Sequence, residues 1–210
     1  MSMYILGKEI ILEDSPILLR LSLDSAPDLD HFEVTGGEWK IVDGALQGCY
    51  RENGGGMLYS KLDVPGDILM DFDGELVPPC ANDLNFVFKT DGWDAAKQDA
   101  GSGYIGGLNG WWEGKAGIEK YPACSPSAQT ALFSAVSGVR YHIQTGCIEG
   151  HCFLFVDGKL IVELSDPHYH DFAQFGRFGF GTYCSKARYS NLTVYRPLWK
   201  KRALSYTPMF

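Results

Sequence analysis

Phe153-Leu-Phe-Val-Asp157-Gly158-Lys-Leu-Ile-Val-Glu-Leu164 is the stretch that decides the fold. Two apolar runs meet at Asp-Gly, the pair favoured in a two-residue type I′ turn because both central residues need positive φ. With that turn, Phe155 faces Leu160 and Phe153 faces Val162, so four apolar side chains share one face. Val156 with Lys159, and Cys152 with Glu163, take the other. One wholly apolar face and one mixed face suit a strand pair in a two-sheet sandwich.

A second stretch, Trp39-Lys-Ile-Val-Asp43-Gly44-Ala-Leu-Gln-Gly48, reads the same way. Ile41 opposes Leu46 with Trp39 on their face, and Lys40 opposes Gln47 on the other. Alternation continues outward from the hairpins. Met70, Phe72 and Leu76 oppose Asp71, Asp73 and Glu75. Leu84, Phe86 and Phe88 oppose Asn85, Val87 and Lys89. Val139, Tyr141 and Ile143 oppose Arg140, His142 and Gln144, and Phe178–Tyr183 and Tyr189–Tyr195 close the series. No long segment carries a 3.6-residue period. Glycine, 25 of 210 residues, is nearly twice its usual share of about 7%, which implies many turns and many short strands. The expected fold is therefore an all-β antiparallel sandwich, one domain over residues 1–210 with a core of about 30–196 and extensions at both ends. The segment from Asp91 to Ser137 reads as a long glycine- and aromatic-rich connection with short strands in it, where a rigid sandwich often carries function.

A net charge of −8 argues against nucleic acid or an anionic membrane surface as a partner, since both select basic patches. Lys200-Lys201-Arg202 reads as a solvated tail. No stretch approaches the ~18 apolar residues of a membrane span, and no basic leader precedes an apolar run, so the expected location is the cytoplasm. Six scattered cysteines without a C-x-x-C pair read as reduced core thiols, with a Cys147–Cys152 disulfide as the one alternative.

Trp39-x-x-x-Asp43-Gly44-x-Leu46, the Val156–Lys159 hairpin, Gly176–Gly181 and Asn191-Leu-x-Val194 together resemble concanavalin A-like lectin/glucanase jelly rolls. The middle, with Asp91-Gly-Trp93-Asp94, Tyr104-Ile-Gly-Gly107, Gly110-Trp-Trp112 and Gly117-Ile-Glu119-Lys120, resembles the YesU-like family of uncharacterised bacterial proteins. The likeness spans roughly residues 30 to 196. It implies a jelly roll and a sugar context, and it carries no chemistry of its own.

The candidate site residues follow from sugar chemistry. Flat aromatic rings stack on the apolar faces of sugars while polar neighbours bind the hydroxyls, so Trp93, Tyr104, Trp111 and Trp112 are expected to contact ligand, with Asn85 and Lys120 as polar partners. Glu119, with lysines close in sequence, and His142, projecting from a strand, are the expected catalytic groups if the protein is an enzyme. Glycoside hydrolysis needs two carboxylates. Asp71-x-Asp73-x-Glu75 lacks the Glu-x-Asp-x-x-Glu spacing of the superfamily's retaining glucanases and reads as a solvated strand face. His168 and His170 read as a polar turn. No metal site or cofactor is expected, with structural calcium on Asn82, Asp83, Asn85, Asp91, Asp94 and Asp99 as the alternative. Two classes stay open: a protein that binds an oligosaccharide or polysaccharide fragment, with or without glycoside hydrolase or polysaccharide lyase activity, and a non-catalytic binding module or homodimeric interaction protein.

Overall fold

Alternating sequence becomes strand nearly throughout the computed structural model, which describes residues 3–49, 55–110, 113–170 and 173–202. The first strands are β1 (Met3–Ile5), β2 (Lys8–Ile10), β3 (Ile17–Leu21), β4 (Phe32–Val34), β5 (Glu38–Val42), β6 (Ala45–Cys49) and β7 (Gly55–Ser60). The middle holds β8 (Ile68–Leu76), β9 (Leu84–Thr90), β10 (Trp93–Asp94), β11 (Asp99–Ala100), β12 (Gly103–Leu108), β13 (Ala116–Tyr121) and β14 (Ser127–Thr130). The last are β15 (Arg140–Ile148), β16 (His151–Val156), β17 (Lys159–Ser165), β18 (Arg177–Tyr183), β19 (Lys186–Tyr195) and β20 (Trp199–Lys201).

Two large antiparallel sheets stack face to face. One runs β14-β13-β12-β9-β18-β7-β4; the other runs β17-β16-β15-β8-β19-β6-β5, with β3 joining β19 beyond the end of β6. This is an antiparallel jelly-roll sandwich. Its inner faces meet in one apolar cluster to which nearly every strand of both sheets contributes. At its centre Phe72 meets Phe180 edge-on with ring centroids 5.1 Å apart, and Phe180 stacks on Tyr189 at 4.2 Å. Each such fully buried ring contributes about 1.5–3 kcal/mol relative to exposure. The Tyr189 hydroxyl lies at 2.9 Å from the Asn85 carbonyl and 2.8 Å from that of Gly181, which satisfies the one polar atom placed there.

Both Asp-Gly turns form as the sequence implies, with Asp43 and Gly44 at φ 52° and 70° and Asp157 and Gly158 at 50° and 75°. The Ile41–Leu46 and Lys40–Gln47 pairings hold. The second hairpin departs from its expected register. Phe155 opposes Leu160, but a bulge follows, so Phe153 opposes Glu163 and Cys152 opposes Leu164. Ile161 is the extra residue, and its insertion turns Val162 to the inner core beside Leu154.

The expected apolar face of that hairpin also points the other way. Leu154 and Val156 fill the core, while Phe153 and Phe155 look outward from the eight-stranded sheet. They are buried because β1, β2 and β20 form a small sheet that lays Met3, Ile5, Ile10 and Trp199 over them and over Leu69 and Ile148. Both faces of β16 are covered, so alternation could not tell inside from outside. The extensions are thus part of the fold, and the sandwich itself begins with β3 at Ile17. The short strands expected within Asp91–Ser137 form, and three of them, β12, β13 and β14, belong to the seven-stranded sheet itself. No disulfide joins any of the six cysteines, including Cys147 and Cys152, which face each other across β15 and β16.

Candidate functional site

Side chains alternate on β9, so Leu84, Phe86 and Phe88 entering the core put Asn85 and Val87 on the outer face of the seven-stranded sheet. The register then assembles that face in rows. Met57, Gly181, Asn85, Gly107 and Gly117 lie in one line across five strands, and Tyr59, Gly179, Val87, Ile105 and Glu119 lie in the next. Three glycines around Asn85 leave a furrow at that point. At Gly107 the space is used: a Cβ there would sit 2.4 Å from Asn85 Oδ1.

The short hairpin β10–β11 hangs over this face and makes its wall. Trp93 and Ala100 oppose each other and pack, with Tyr121, against Met57, Tyr59, Val87 and Ile105. Asp94 shapes the hairpin turn by accepting from the Ala96 and Lys97 amides at 3.0 and 3.2 Å. The Tyr121 hydroxyl donates to Asp99 and ties the hairpin to β13. Beneath, Arg177 lies 5.4 Å over the Tyr59 ring, donates to the Ser60 carbonyl at 2.8 Å and pairs with Glu33 at 2.7 Å.

Between wall and furrow opens a groove of about 490 Å³, within the range of small-ligand sites. Its rings are Trp93, Tyr121 and Tyr183, its apolar floor includes Met57 and Ile105, and its polar groups include Asn85, Asp99, Glu119, Cys124 and Thr182. Glu119 is 3% exposed and hydrogen-bonded to the Cys124 thiol, whose pKa is raised by burial and by that carboxylate. Burial, then the bond to Asp99, raises the Tyr121 hydroxyl well above its ordinary value, so it stays a donor. Burial also raises Asp91 beside the hairpin.

The furrow contains a polar atom with nothing to bind. Asn85 is 3% exposed; its amide helps to hold the buried Asp83 carboxyl, and its Oδ1 has no donor within reach. The Tyr59 hydroxyl and Thr182 Oγ1 are likewise buried without a partner. Native interiors satisfy nearly all such atoms, so those that remain call for an explanation.

Three of the expected site residues, Asn85, Trp93 and Glu119, are brought together here. Others are not. Tyr104 points into the core, stacked on Phe88, with its hydroxyl 2.6 Å from Asp166. Lys120 follows Glu119 on the same strand and therefore faces the opposite way. It pairs with Asp166 at 2.8 Å and donates to the His168 carbonyl. Asp166 is 4% exposed; burial opposes its charge, but Lys120, Tyr104 and the His168 amide together hold its pKa below the usual carboxylate value. This is an internal strut, and it corrects the reading of Tyr104 and Lys120 as ligand contacts. His142 lies on the outer face of the other sheet, 3.3 Å from Asp73 and 3.6 Å from Asp71, so it and Glu119 cannot act on one bond. Trp111 and Trp112 lie outside the described residues. His170 stacks on Phe175 at 4.0 Å. Among the described residues no group of three His, Cys, Asp or Glu side chains is arranged to hold a metal ion, and Asp83, Asp94 and Asp99 are each turned to local partners.

Tyr121 and Tyr183 carry no site signal in the sequence analysis, and Asp99 enters it only as a candidate calcium ligand. Tyr121 was within reach of the reading, since it stands two residues after Glu119 and must share its face.

No known family profile and no curated protein sequence matches the chain. Solved structures do. A Bacillus subtilis protein of unknown function with a galectin-like fold aligns at 16% identity and a TM-score of 0.70, over 87% of this chain and 96% of that one. Carbohydrate-binding module CBM66 from Bacillus subtilis aligns at 17% identity and a TM-score of 0.60, over 79% and 95%. The metal-free carbohydrate recognition domain of Emp46p aligns at 14% identity and a TM-score of 0.59, over 83% and 93%. At these identities the likeness is one of fold.

Proposed function

We propose that the chain binds an oligosaccharide or a polysaccharide fragment in the groove on the outer face of its seven-stranded sheet. The observation that carries this reading is the pairing of an aromatic wall, Trp93, Tyr121 and Tyr183, with a glycine furrow that presents an unsatisfied Asn85 Oδ1. Sugars offer both halves of what such a site lacks: C–H faces to lie on rings, and hydroxyls to donate to buried acceptors. The neighbouring folds include a carbohydrate-binding module and a carbohydrate recognition domain, which supports the same reading. Membership of the YesU-like group belongs to this proposal too, resting on the Trp93, Tyr104–Gly107 and Gly117–Lys120 motifs.

A hydrolytic role has one observation in its favour, that Asp99 and Glu119 line the same groove. One experiment separates the readings. The protein is titrated with a panel of plant and bacterial oligosaccharides, following tryptophan fluorescence and thermal unfolding, and each ligand is then recovered and analysed. Stabilisation by a sugar that persists supports binding alone, and a sugar consumed in an Asp99- and Glu119-dependent manner supports hydrolysis. No response to any sugar, with concentration-dependent dimerisation instead, would replace both by an interaction role.

A further inference from the structure

Charge on the groove narrows the class of sugar, given the carbohydrate reading above. Among the described residues that line it, the charged ones are Asp99 and Glu119, both acidic. Among the described residues, the cations on and beside this face are committed elsewhere. Arg177 is held under the Tyr59 ring by Ser60 and Glu33, and Lys97 closes on Asp94 at 2.8 Å. Lys120 is turned through the sheet to Asp166. The buried atom that seeks a partner, Asn85 Oδ1, is an acceptor, and so is the Glu119 carboxylate beside it in the next row.

We infer that the groove selects uncharged, hydroxyl-rich glycans and rejects those bearing carboxylate or sulfate. A neutral sugar meets these acceptors with hydroxyl donors. An acidic sugar brings a charge to a partly enclosed site whose described lining holds two carboxylates and no opposing cation, where repulsion is weakly screened. It would also bring more acceptors to a furrow that already has one too many. Asn85 is then the specificity residue for the hydroxyl donor, and Glu119 with Asp99 sets the charge filter.

The test is a glycan array probed with the fluorescently labelled full chain, carrying matched neutral, uronate-containing and sulfated oligosaccharides. Binding confined to neutral glycans is expected, at least tenfold tighter than to the acidic counterpart of the same backbone and little changed by salt. Asn85→Leu should weaken the neutral hits tenfold or more while circular dichroism stays as in the wild type; because it also removes the amide bonded to Asp83, Thr182→Val, which removes only an unpartnered groove hydroxyl, should weaken them too with thermal unfolding unchanged. Glu119→Gln, which keeps shape and removes charge, should narrow the gap to the acidic glycan; should either variant misfold, Asp99→Asn provides the same charge readout. Acidic glycans bound as tightly as neutral ones would overturn the charge filter and leave the carbohydrate reading standing. No glycan bound at all would overturn the carbohydrate reading itself.

Discussion

The two outer faces of this sandwich carry similar residues to opposite ends. On the eight-stranded sheet the polar side chains are matched to one another. Gln144 donates to Asp71 at 2.7 Å, Asn191 donates to Asp73 at 2.7 Å, His142 lies between the two carboxylates, and Arg188 reaches Gln47 and Asp43. Its apolar part, Phe153 and Phe155, is roofed by the terminal strands. On the seven-stranded sheet the aromatics stand at an open groove, and Asn85, Tyr59 and Thr182 hold buried atoms with no partner. A finished surface satisfies its own polar groups; a binding surface leaves some for the ligand. Counting carboxylates would point to the eight-stranded sheet instead, because Asp71, Asp73 and His142 look more like a catalytic cluster than Asn85 does.

The largest effect in any test of this contrast should come from between the faces. Lys120→Met leaves Asp166 buried without its cation, and urea unfolding should show a loss of about 3–4 kcal/mol. Asp166 has a folded pKa below its unfolded one, so its stabilisation is present above about pH 4 and lost as pH falls through the lower folded value. Acid unfolding of Lys120→Met should therefore show a shallower loss there. If Lys120 served the ligand instead, the variant would unfold as the wild type does and fail only in binding.

Trp93→Ala removes the groove wall and should weaken a bound glycan by about 2 kcal/mol, some thirtyfold, by calorimetric titration. A twin pair of substitutions addresses the polar groups directly. Gln144→Leu deprives the part-buried Asp71 of its donor and should cost about 1–1.5 kcal/mol in thermal unfolding. Thr182→Val removes a buried groove hydroxyl that has no partner among the described residues and should change stability by less than about 0.5 kcal/mol while weakening ligand binding. Equal losses from both would show that the two faces do not differ in the way described.

The smallest expected effect is Asp71→Asn. Burial, only partly offset by Gln144 and His142, raises the Asp71 carboxyl above its ordinary value, so its ionised form weakens the fold at neutral pH and ceases to do so as pH falls through the raised folded value. The variant should gain about 0.5 kcal/mol at pH 7 and nothing in acid, read from unfolding midpoints at both pH values.

Much of the fold was legible because its signals are local. Positive φ at Asp43, Gly44, Asp157 and Gly158 belongs to two adjacent residues, and Asp-Gly announces it. Period-two alternation placed Phe72, Phe86 and Ile143 in the core. What alternation cannot give is which of two covered faces is the inner one, and Phe153 and Phe155 were misplaced for that reason. Glycine-rich strands hide as well. Gly103-Tyr-Ile-Gly-Gly-Leu108 has no polar partner for its apolar residues, so alternation does not mark where β12 runs within its segment. Asn85, Trp93 and Glu119, which residue type alone brings forward, line one groove. Tyr104 and Lys120 were mistaken although the rule against them is simple: neighbours on a strand face apart, so Ile105 and Glu119 on the groove exclude the two residues beside them. Asp99 reaches the groove through pairing with Tyr121 across 22 positions of sequence, a contact no local pattern encodes.

The small sheet of β1, β2 and β20 has a bearing on how the molecule could be handled or displayed. It brings the strands nearest both termini side by side and holds them on the flank opposite the groove. A tether fused to either end, whether a bead, a membrane anchor or a neighbouring domain, would grip the sandwich by its back. The Trp93 wall would then face outward, as a reading head does when the cable enters from behind.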